Sequence, residues 1–302
     1  MHMIHHSHCP VCGQASIQAL FSAKDYTVSG KHFPIWTCHS CSALFTQDGP
    51  DEQESGAYYQ SENYISHSDT RKGIVNRLYH LVRGITLNGK YRVVQKETRK
   101  SQGHILDLGC GTGAFLHTMS KKGWDATGLE PDAQARKKAT ALYQINVQEP
   151  SGLYQLPKGS FDAITLWHVL EHVHDLHKYL DTMRDLLRDE GRIFVAVPNH
   201  TSTDAAMYQS YWAAYDVPRH LYHFSPACMK ALMLRHGLQV RRVLPMWFDA
   251  YYVSLLSEQY KGSGAFKRLL KGAWNGLLSN LVALGNTEKC SSLIYVIEKK
   301  RA

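Results

Sequence analysis

Residues 104–115 read HILDLGCGTGAF and place three glycines at alternate positions directly after a short apolar run. The run is typical of a buried strand, and the apolar residues that resume at Ala114 predict a helix. Glycine weakens regular structure, so Gly109, Gly111 and Gly113 are expected only where the backbone bends sharply or approaches another group closely. The segment therefore predicts a strand, a tight turn and a helix, with backbone N–H groups of the turn facing a ligand.

Strand-like and helix-like segments alternate along the rest of the chain. Strands are predicted at HILDL, DATGLE, FDAITLWHV, RIFVAVPN, LQVRRVLPM and SSLIYVIEKK. Helical patterns lie between most of them. This alternation indicates an α/β fold, namely a Rossmann-like, mainly parallel seven-stranded sheet with helices on both faces.

Three helical regions carry further predictions. Residues 70–100 should form a basic amphipathic helix or two, interrupted near Gly84 and Gly89. Residues 168–191 should continue from the fourth predicted strand as one long helix. An insertion at about 249–285 precedes the last strand. Its apolar face either packs on the domain, makes a dimer contact, or lies on a membrane surface through residues 264–285.

Two carboxylates flank the glycine turn in the predicted fold. Asp107 stands two residues before the first glycine, where a negative charge discourages a pyrophosphate and favours a cationic group. Glu130 ends the next strand, 21 residues beyond Gly109, where an acid can accept hydrogen bonds from both ribose hydroxyls. S-adenosylmethionine has an adenosine, a sulfonium and an ammonium, and so fits this site. The alternatives are another nucleotide fold, and for Glu130 a charge beside a helix dipole.

Residues 104–198 resemble class I S-adenosylmethionine-dependent methyltransferases. The resemblance rests on four segments in order, ILDLGCGTG, GLEPD, FDAITLWHVLEHV and GRIFVAVPN. It implies that Asp107, Gly109 and Gly113 line the methionine part and that Glu130 binds the ribose. Glu149 is a weaker candidate for the adenine, and His168 should lie near the cofactor or substrate. The remaining residues assigned to the cofactor site are Cys110, Gly111 and Pro131.

His168, Glu171 and His172 also form the pattern H-x-x-E-H, which occurs in a class of zinc peptidases. On a helix these positions share one face, so metal ligation is possible in principle. The surrounding strand-to-helix step fits the methyltransferase motif more closely, and the peptidase interpretation is disfavoured.

Two C-x-x-C pairs near the N-terminus, Cys9/Cys12 and Cys38/Cys41, are separated by 25 residues. Four thiolates at this spacing can surround one structural Zn²⁺. The alternatives are four unligated thiols, or a neighbouring histidine as a ligand. The segment resembles the zinc-binding segment of sugar methyltransferases of bacterial deoxysugar pathways more than the zinc ribbons of ribosomal RNA methyltransferases.

These patterns divide the chain into three parts. Residues 1–48 form a zinc-ribbon-like segment, residues 49–100 a linker and helices that cover the cofactor, and residues 101–302 the methyltransferase domain. In the linker, Tyr59 and Tyr64 are candidate lid residues that contact the cofactor, or ordinary packing aromatics.

The segment YDVPRHLYHFSP, residues 215–226, follows the fifth strand and concentrates polar side chains beyond a carboxyl end of the sheet. His220 or His223 could remove a proton from an acceptor hydroxyl, because histidine titrates near neutrality. Arg219 could hold a phosphate or carboxylate of the substrate. With His168, these are the candidate catalytic residues, and the alternative for both histidines is packing.

The sequence therefore predicts methyl transfer from S-adenosylmethionine to a small-molecule acceptor, with a sugar or cell-envelope precursor as one candidate. A tRNA or ribosomal RNA methyltransferase is an alternative, because the net charge is +8, but the only lysines or arginines in residues 9–41 are Lys24 and Lys31. A non-catalytic cofactor-binding scaffold is a second alternative. The absence of a long apolar run predicts a cytoplasmic protein without a membrane span. The oligomeric state stays open.

Overall fold

A computed structural model describes residues 3–59 and 74–300, and for residues 74–83 it describes the helical backbone alone. The first part of the chain contains short strands and two helices. Their bounds are β1 Met3–Ile4, β2 Ile17–Lys24, β3 His32–Cys38, β4 Leu44–Thr46, β5 Gly49–Pro50, α1 Glu52–Ser55 and α2 Ile74–Thr98.

The central sheet has seven strands, the predicted number, although β8 was not among the segments that the sequence indicated. The bounds of these strands, and of β11, are β6 His104–Leu108, β7 Asp125–Leu129, β8 Val147–Gln148, β9 Phe161–Trp167, β10 Leu187–Pro198, β11 Tyr222–His223, β12 Leu238–Pro245 and β13 Ser292–Lys299. The order across the central sheet is β12-β13-β10-β9-β6-β7-β8, and β11 belongs elsewhere. Strand β13 pairs antiparallel with both neighbours, and the other pairings are parallel. The mainly parallel sheet is confirmed.

Helices cover both faces of this sheet. The remaining ones are α3 Ala114–Lys121, α4 Ala133–Tyr143, α5 Leu176–Leu186, α6 Thr203–Tyr208, α7 Pro226–Arg235, α8 Asp249–Tyr260 and α9 Ala265–Gly285. Because successive strand residues point to opposite faces, Leu106 packs with the apolar residues of α5 and α7. Its neighbour Ile105 packs with Val94 of α2 and Phe115 of α3 on the other face.

The N-terminal segment forms a second sheet that includes part of the late loop. Its order is β11-β4-β3-β2, so Tyr222 pairs with Phe45 and His223 pairs with Leu44. The cysteine-bearing segment and the loop of residues 215–226 therefore share one set of backbone hydrogen bonds.

Two helical predictions were wrong. Helix α2 runs without a break through Gly84 and Gly89, although each glycine costs about 1 kcal/mol in a helix interior. Burial of Val94 and partial burial of Leu87 and Tyr91 against the sheet offset that cost. The long helix predicted over 168–191 is instead a 3₁₀ turn at Leu170–His172, a helix at Leu176–Leu186 and the start of β10.

The helical insertion before the last strand is present as α8 and α9. Within the described residues, no helix combines the length and the apolar character that a membrane crossing requires.

Candidate active site

The glycine turn leaves β6 in a left-handed backbone conformation. Gly109, Gly111 and Gly113 have φ angles of +65°, +55° and +78°, which side-chain-bearing residues rarely adopt. The N–H groups of Gly109 and Cys110 both donate to the carbonyl of Leu129 in the neighbouring strand. A Cβ atom on Gly109 would lie 2.5 Å from Val169 Cγ2. This position therefore requires glycine for both conformation and space.

Asp107 lies at the carboxyl end of the central sheet and is 1% exposed. Thr165 Oγ1, on the adjacent strand β9, donates to Asp107 Oδ1 at 2.6 Å. Burial raises the pKa of the Asp107 carboxyl to about 7, although the Thr165 hydrogen bond and the charge of Lys90 act to lower it. A buried, oriented carboxylate at this place would be stabilised by a cationic ligand.

Glu130 follows β7 and also lies beside the glycine turn. Its two oxygens accept from Gly111 N at 2.7 Å and from Asp132 N at 3.0 Å. Because Gly111 donates to it, the acid and the turn hold each other in place. Arg136 fixes the following backbone by donating to the carbonyls of Glu130 and Pro131.

The other residues assigned to the cofactor site are less enclosed. Glu149 accepts from Arg136 Nη2 at 2.9 Å and its side chain is 67% exposed. Cys110 packs beside Leu116, Ala139 and Val147, and burial raises the pKa of its thiol. These contacts place Glu149 at the rim and make Cys110 a packing residue of the turn.

Lys90 is a site residue that sequence reasoning missed. It comes from α2, and its ammonium lies 4.4 Å from the centre of the Trp167 ring. Burial lowers the pKa of Lys90, while the charges of Asp107 and Asp249 act to raise it. No local motif marks this lysine; only the packing of α2 across the sheet brings it to the glycine turn.

His168 lies between two carboxylates at the end of β9. Its Nε2 atom is 3.1 Å from Asp249 Oδ2 and its Nδ1 atom is 3.5 Å from Glu171 Oε1. Burial of the ring lowers the pKa of His168, but the two carboxylates outweigh this effect and raise it to about 10. His168 is therefore a cation at neutral pH, which does not suit the role of a proton acceptor.

The 3₁₀ turn that follows His168 brings Glu171 and His172 against His220. One carboxylate oxygen and one nitrogen of each ring all lie within 4.8 Å of one another. Glu171 is 1% exposed, and its Oε1 atom is paired with His168 Nδ1 at 3.5 Å. The set has the chemistry of a base with a supporting acid, or of a site for a divalent metal. The sequence analysis considered Glu171 and His172 as functional side chains only in the disfavoured peptidase pattern, although both also lie in the methyltransferase segment FDAITLWHVLEHV.

The protonation of His172 follows from its partners. Its Nδ1 atom lies 3.0 Å from the carbonyl oxygen of Arg219, which can only accept, so Nδ1 carries the proton. Burial and the neighbouring His220 lower the pKa of His172 to about 4. The ring is therefore neutral at physiological pH, and Nε2 is its unprotonated nitrogen. Tyr59 Oη lies 3.0 Å from the same Nδ1.

Arg219 is held by protein groups on every side. It donates to Asp216 at 2.6 Å, to Asp25 and Thr27 at 3.1 Å and to the carbonyl of Tyr58 at 3.0 Å. Its side chain is 1% exposed. These contacts favour a structural role over the predicted hold on a substrate anion.

The two histidines of the late loop are both buried. His220 Nδ1 lies 2.8 Å from the carbonyl of Ala214, to which it donates. His223 Nε2 lies 3.3 Å from Thr46 Oγ1 in the N-terminal sheet, and burial lowers its pKa well below the ordinary value. His220 touches the Glu171–His172 pair, whereas the contacts of His223 favour packing. Tyr64, the second candidate lid residue, lies outside the described residues.

The four N-terminal cysteines converge. Cys9 and Cys41 have their sulfur atoms 3.7 Å apart, and Cys12 and Cys38 have theirs 3.5 Å apart. All four sulfurs lie within 4.8 Å of one another. Four ligands about 2.3 Å from a tetrahedral zinc ion would be separated by about 3.8 Å, so the residues present fit Zn²⁺.

A family model described as a methyltransferase domain matches residues 83–243, more than half of the chain. The chain belongs to the methyltransferase-domain family. It is an S-adenosylmethionine-dependent methyltransferase, and the peptidase interpretation of the H-x-x-E-H pattern is wrong. The matched region begins after the cysteine segment, so the family result does not bear on that segment.

Curated relatives of this methyltransferase include two ubiquinone biosynthesis O-methyltransferases. The protein from Xanthomonas axonopodis pv. citri is 27% identical over 161 residues, which cover 49% of this chain and 67% of the relative. The mitochondrial protein from Bos taurus is 25% identical over 163 residues, which cover 49% of this chain and 44% of the relative.

Among solved structures, geranyl diphosphate C-methyltransferase from Streptomyces coelicolor A3(2) aligns with a TM-score of 0.52 and 11% identity. The alignment covers 78% of this chain and 87% of that one. A Galdieria sulphuraria protein assigned as a sarcosine dimethylglycine methyltransferase aligns with a TM-score of 0.51 and 16% identity, covering 74% and 88%. At these identities the likeness shows the fold alone.

Proposed function

We propose that the methyltransferase acts on a hydroxyl group of a small-molecule acceptor, with Asp107 and Glu130 binding the cofactor and His172 accepting the acceptor proton. The observation that carries the proposal is the neutral His172 ring beside the buried Glu171 carboxylate, in the turn that follows β9, the strand paired with β6. The names of the curated relatives, which are O-methyltransferases of ubiquinone biosynthesis, support an oxygen acceptor.

The residues around the turn fit S-adenosylmethionine. Asp107 would accept from the ammonium group, and its carboxylate is already oriented by Thr165. Glu130 would accept from the ribose hydroxyls at the edge of the turn. At Gly111 a Cβ atom would meet nothing within 4 Å, so the backbone there is open to close approach by the ligand. When bound, the cofactor supplies a methyl group that its sulfonium charge has already activated.

His172 is the candidate base because its Nε2 is unprotonated. Methyl transfer to a hydroxyl requires the loss of the hydroxyl proton, which an unprotonated imidazole nitrogen can accept. The carboxylate of Glu171 would stabilise the imidazolium that results, as a buried acid does beside a catalytic histidine. The contact between His172 Nδ1 and the Arg219 carbonyl holds the ring in the required tautomer.

Binding and turnover test different parts of this proposal. Calorimetric titration with S-adenosylmethionine should show binding that Asp107→Asn and Glu130→Gln each weaken by at least tenfold. Asp125→Asn is the matched control, because it changes a carboxylate at the opposite, amino end of β7. Unchanged binding in both site variants would refute the assignment of the cofactor site.

The acceptor class is tested by methyl transfer from labelled cofactor to phenols and to nucleotide-linked sugars. Phenols are tested because the names of the relatives place them in the biosynthesis of a quinone, and sugars are tested because of the resemblance of the cysteine segment. His172→Gln should lower kcat by at least a hundredfold and leave cofactor binding unchanged. Full activity in this variant would exclude His172 as the base. Cofactor binding without transfer to any acceptor would favour the scaffold alternative.

We also propose that Cys9, Cys12, Cys38 and Cys41 bind one structural zinc ion. The support is the tetrahedral spacing of their sulfurs. A closed shell of four thiolates leaves no position for a substrate, so the ion would stabilise the fold. Elemental analysis should find one zinc per chain, and Cys38→Ser should lose it. Cys290→Ser is the control, because that thiol contacts the carbonyl of Met246 and none of the four cysteines, and equal zinc content in both variants would refute the site.

A further inference from the structure

Helix α9 presents its large apolar side chains outward. Its exposed apolar residues are Phe266, Leu269, Leu270, Trp274, Leu277, Leu281, Val282 and Leu284, with exposed fractions from 38% for Leu277 to 76% for Phe266. Monomeric proteins seldom expose contiguous apolar patches larger than a few hundred Å². We call these eight residues the α9 apolar face.

The inward side of α9 carries small residues that fix the helix on the domain. A Cβ atom on Gly272 would lie 2.8 Å from Leu255 Cδ2, and one on Gly276 would lie 2.8 Å from Tyr251 Cα. Ser279 Oγ donates to the buried Asp204 at 2.9 Å. Helix α9 can therefore approach α8 this closely only when its small residues face α8. Rotating the helix to bury the apolar face would place large side chains where only small ones fit.

Positive charge accompanies the apolar face. Residues 259–287 contain four basic residues, Lys261, Lys267, Arg268 and Lys271, and no Asp or Glu. Lys267 and Lys271 are exposed and lie one helical turn apart. An apolar helix face bordered by lysine and arginine is the pattern of helices that lie in the interface of an anionic membrane.

We propose that α9 docks the methyltransferase on the surface of an anionic lipid bilayer, with the α9 apolar face in the lipid and Lys261, Lys267 and Lys271 near the headgroups. The helix has 21 residues and is therefore about 30 Å long, and it would lie parallel to the membrane plane. The proposal is independent of the proposed acceptor and of the zinc site.

A second copy of the chain is the alternative occupant, and the charges disfavour it. Two α9 faces packed in parallel would bring two clusters of cations together, and two packed antiparallel would leave each cluster without an acidic partner on the facing helix. Like charges brought into contact oppose association, whereas anionic headgroups complement them.

Vesicle co-sedimentation of the full chain tests the proposal. We expect binding to phosphatidylcholine vesicles that contain phosphatidylglycerol, and binding at least tenfold weaker to pure phosphatidylcholine. Lys267→Gln/Lys271→Gln should weaken binding to the anionic vesicles by about 30-fold, since each cation near such a surface contributes about fivefold. Leu270→Ser/Trp274→Ser should abolish binding to both kinds of vesicle.

The control variant makes comparable changes on another exposed helix. Lys137→Gln/Lys138→Gln/Leu142→Ser removes charge and an exposed leucine from α4 and should bind like the parent. Urea unfolding and cofactor titration verify that each variant is folded.

Three results would overturn the proposal. They are no vesicle binding by the parent chain, equal binding to neutral and anionic vesicles, and a dimer in light scattering that Leu270→Ser/Trp274→Ser converts to a monomer. The last result would assign the α9 apolar face to a second copy.

Discussion

Replacement of Gly109 by alanine should destabilise the fold through two separable effects. The φ angle of Gly109 is +65°, so alanine would be forced into the left-handed region. The added Cβ would also lie 2.5 Å from Val169 Cγ2. Gly111 is a natural comparison, because its φ angle is +55° and a Cβ there would meet nothing within 4 Å.

The differences between the two glycine positions give the expected losses of unfolding free energy. A left-handed alanine costs about 1–2 kcal/mol, so Gly111→Ala should lower the free energy of unfolding by about that amount. Overpacking costs about 1–3 kcal/mol more, so Gly109→Ala should lower it by about 2–5 kcal/mol in total. The difference between the two variants isolates the overlap with Val169.

Urea denaturation of the two single variants, of Val169→Ala and of Gly109→Ala/Val169→Ala measures these terms. Truncation of Val169 removes the overlapping methyl, so the double variant should be more stable than the sum of the two single changes predicts. If Gly109→Ala and Gly111→Ala are equally destabilised, or if the double variant is strictly additive, the steric argument is wrong.

Three further predictions concern charge. Below pH 7 the affinity for S-adenosylmethionine should fall about tenfold per pH unit. The cause is that Asp107, whose pKa is about 7, becomes neutral while the ligand ammonium stays charged. Calorimetry should show this slope in the parent protein and a flat profile of weak binding in Asp107→Asn. Thr165→Val removes a hydrogen bond that favours the Asp107 carboxylate, so the midpoint of the same profile should move to higher pH; a midpoint that stays in place would contradict this. Arg219→Met leaves the buried Asp25 and the partly buried Asp216 without their cation and should lower the free energy of unfolding by about 3–5 kcal/mol. Because both acids have lowered pKa values in the fold, the loss should be full at neutral pH and shrink in acid, and a pH-independent loss in urea denaturation would count against the ion-pair explanation.

Local patterns in the sequence were sufficient to predict the strand, the turn and the two acids to which we assign cofactor binding. The strand, the glycine turn and the acid after the next strand are each specified within a few residues, and the parallel sheet brings Asp107 and Glu130 to the same edge. The helix break at Gly84 was wrong because burial of α2 against the sheet, which is not local, outweighs the glycine cost.

The acceptor end depends on contacts between distant segments, which a single sequence does not show. Arg219 has the chemistry of an anion-binding residue, but Asp25, far away in the chain, already pairs with it at 3.1 Å. His172 becomes a candidate base only because the carbonyl of Arg219 fixes its tautomer. Lys90 reaches the site through the packing of an entire helix.

The pairing of β11 with β4 has a consequence for any attempt to shorten this protein. Cutting away residues 1–48 would strip the backbone partners from Tyr222 and His223 and remove Asp25 from Arg219. The loop of residues 215–226 also positions His172, through the carbonyl of Arg219. A minimal catalytic fragment of this chain therefore cannot start at the boundary that the family match marks, and grafting a foreign N-terminal module would have to rebuild that strand edge as well.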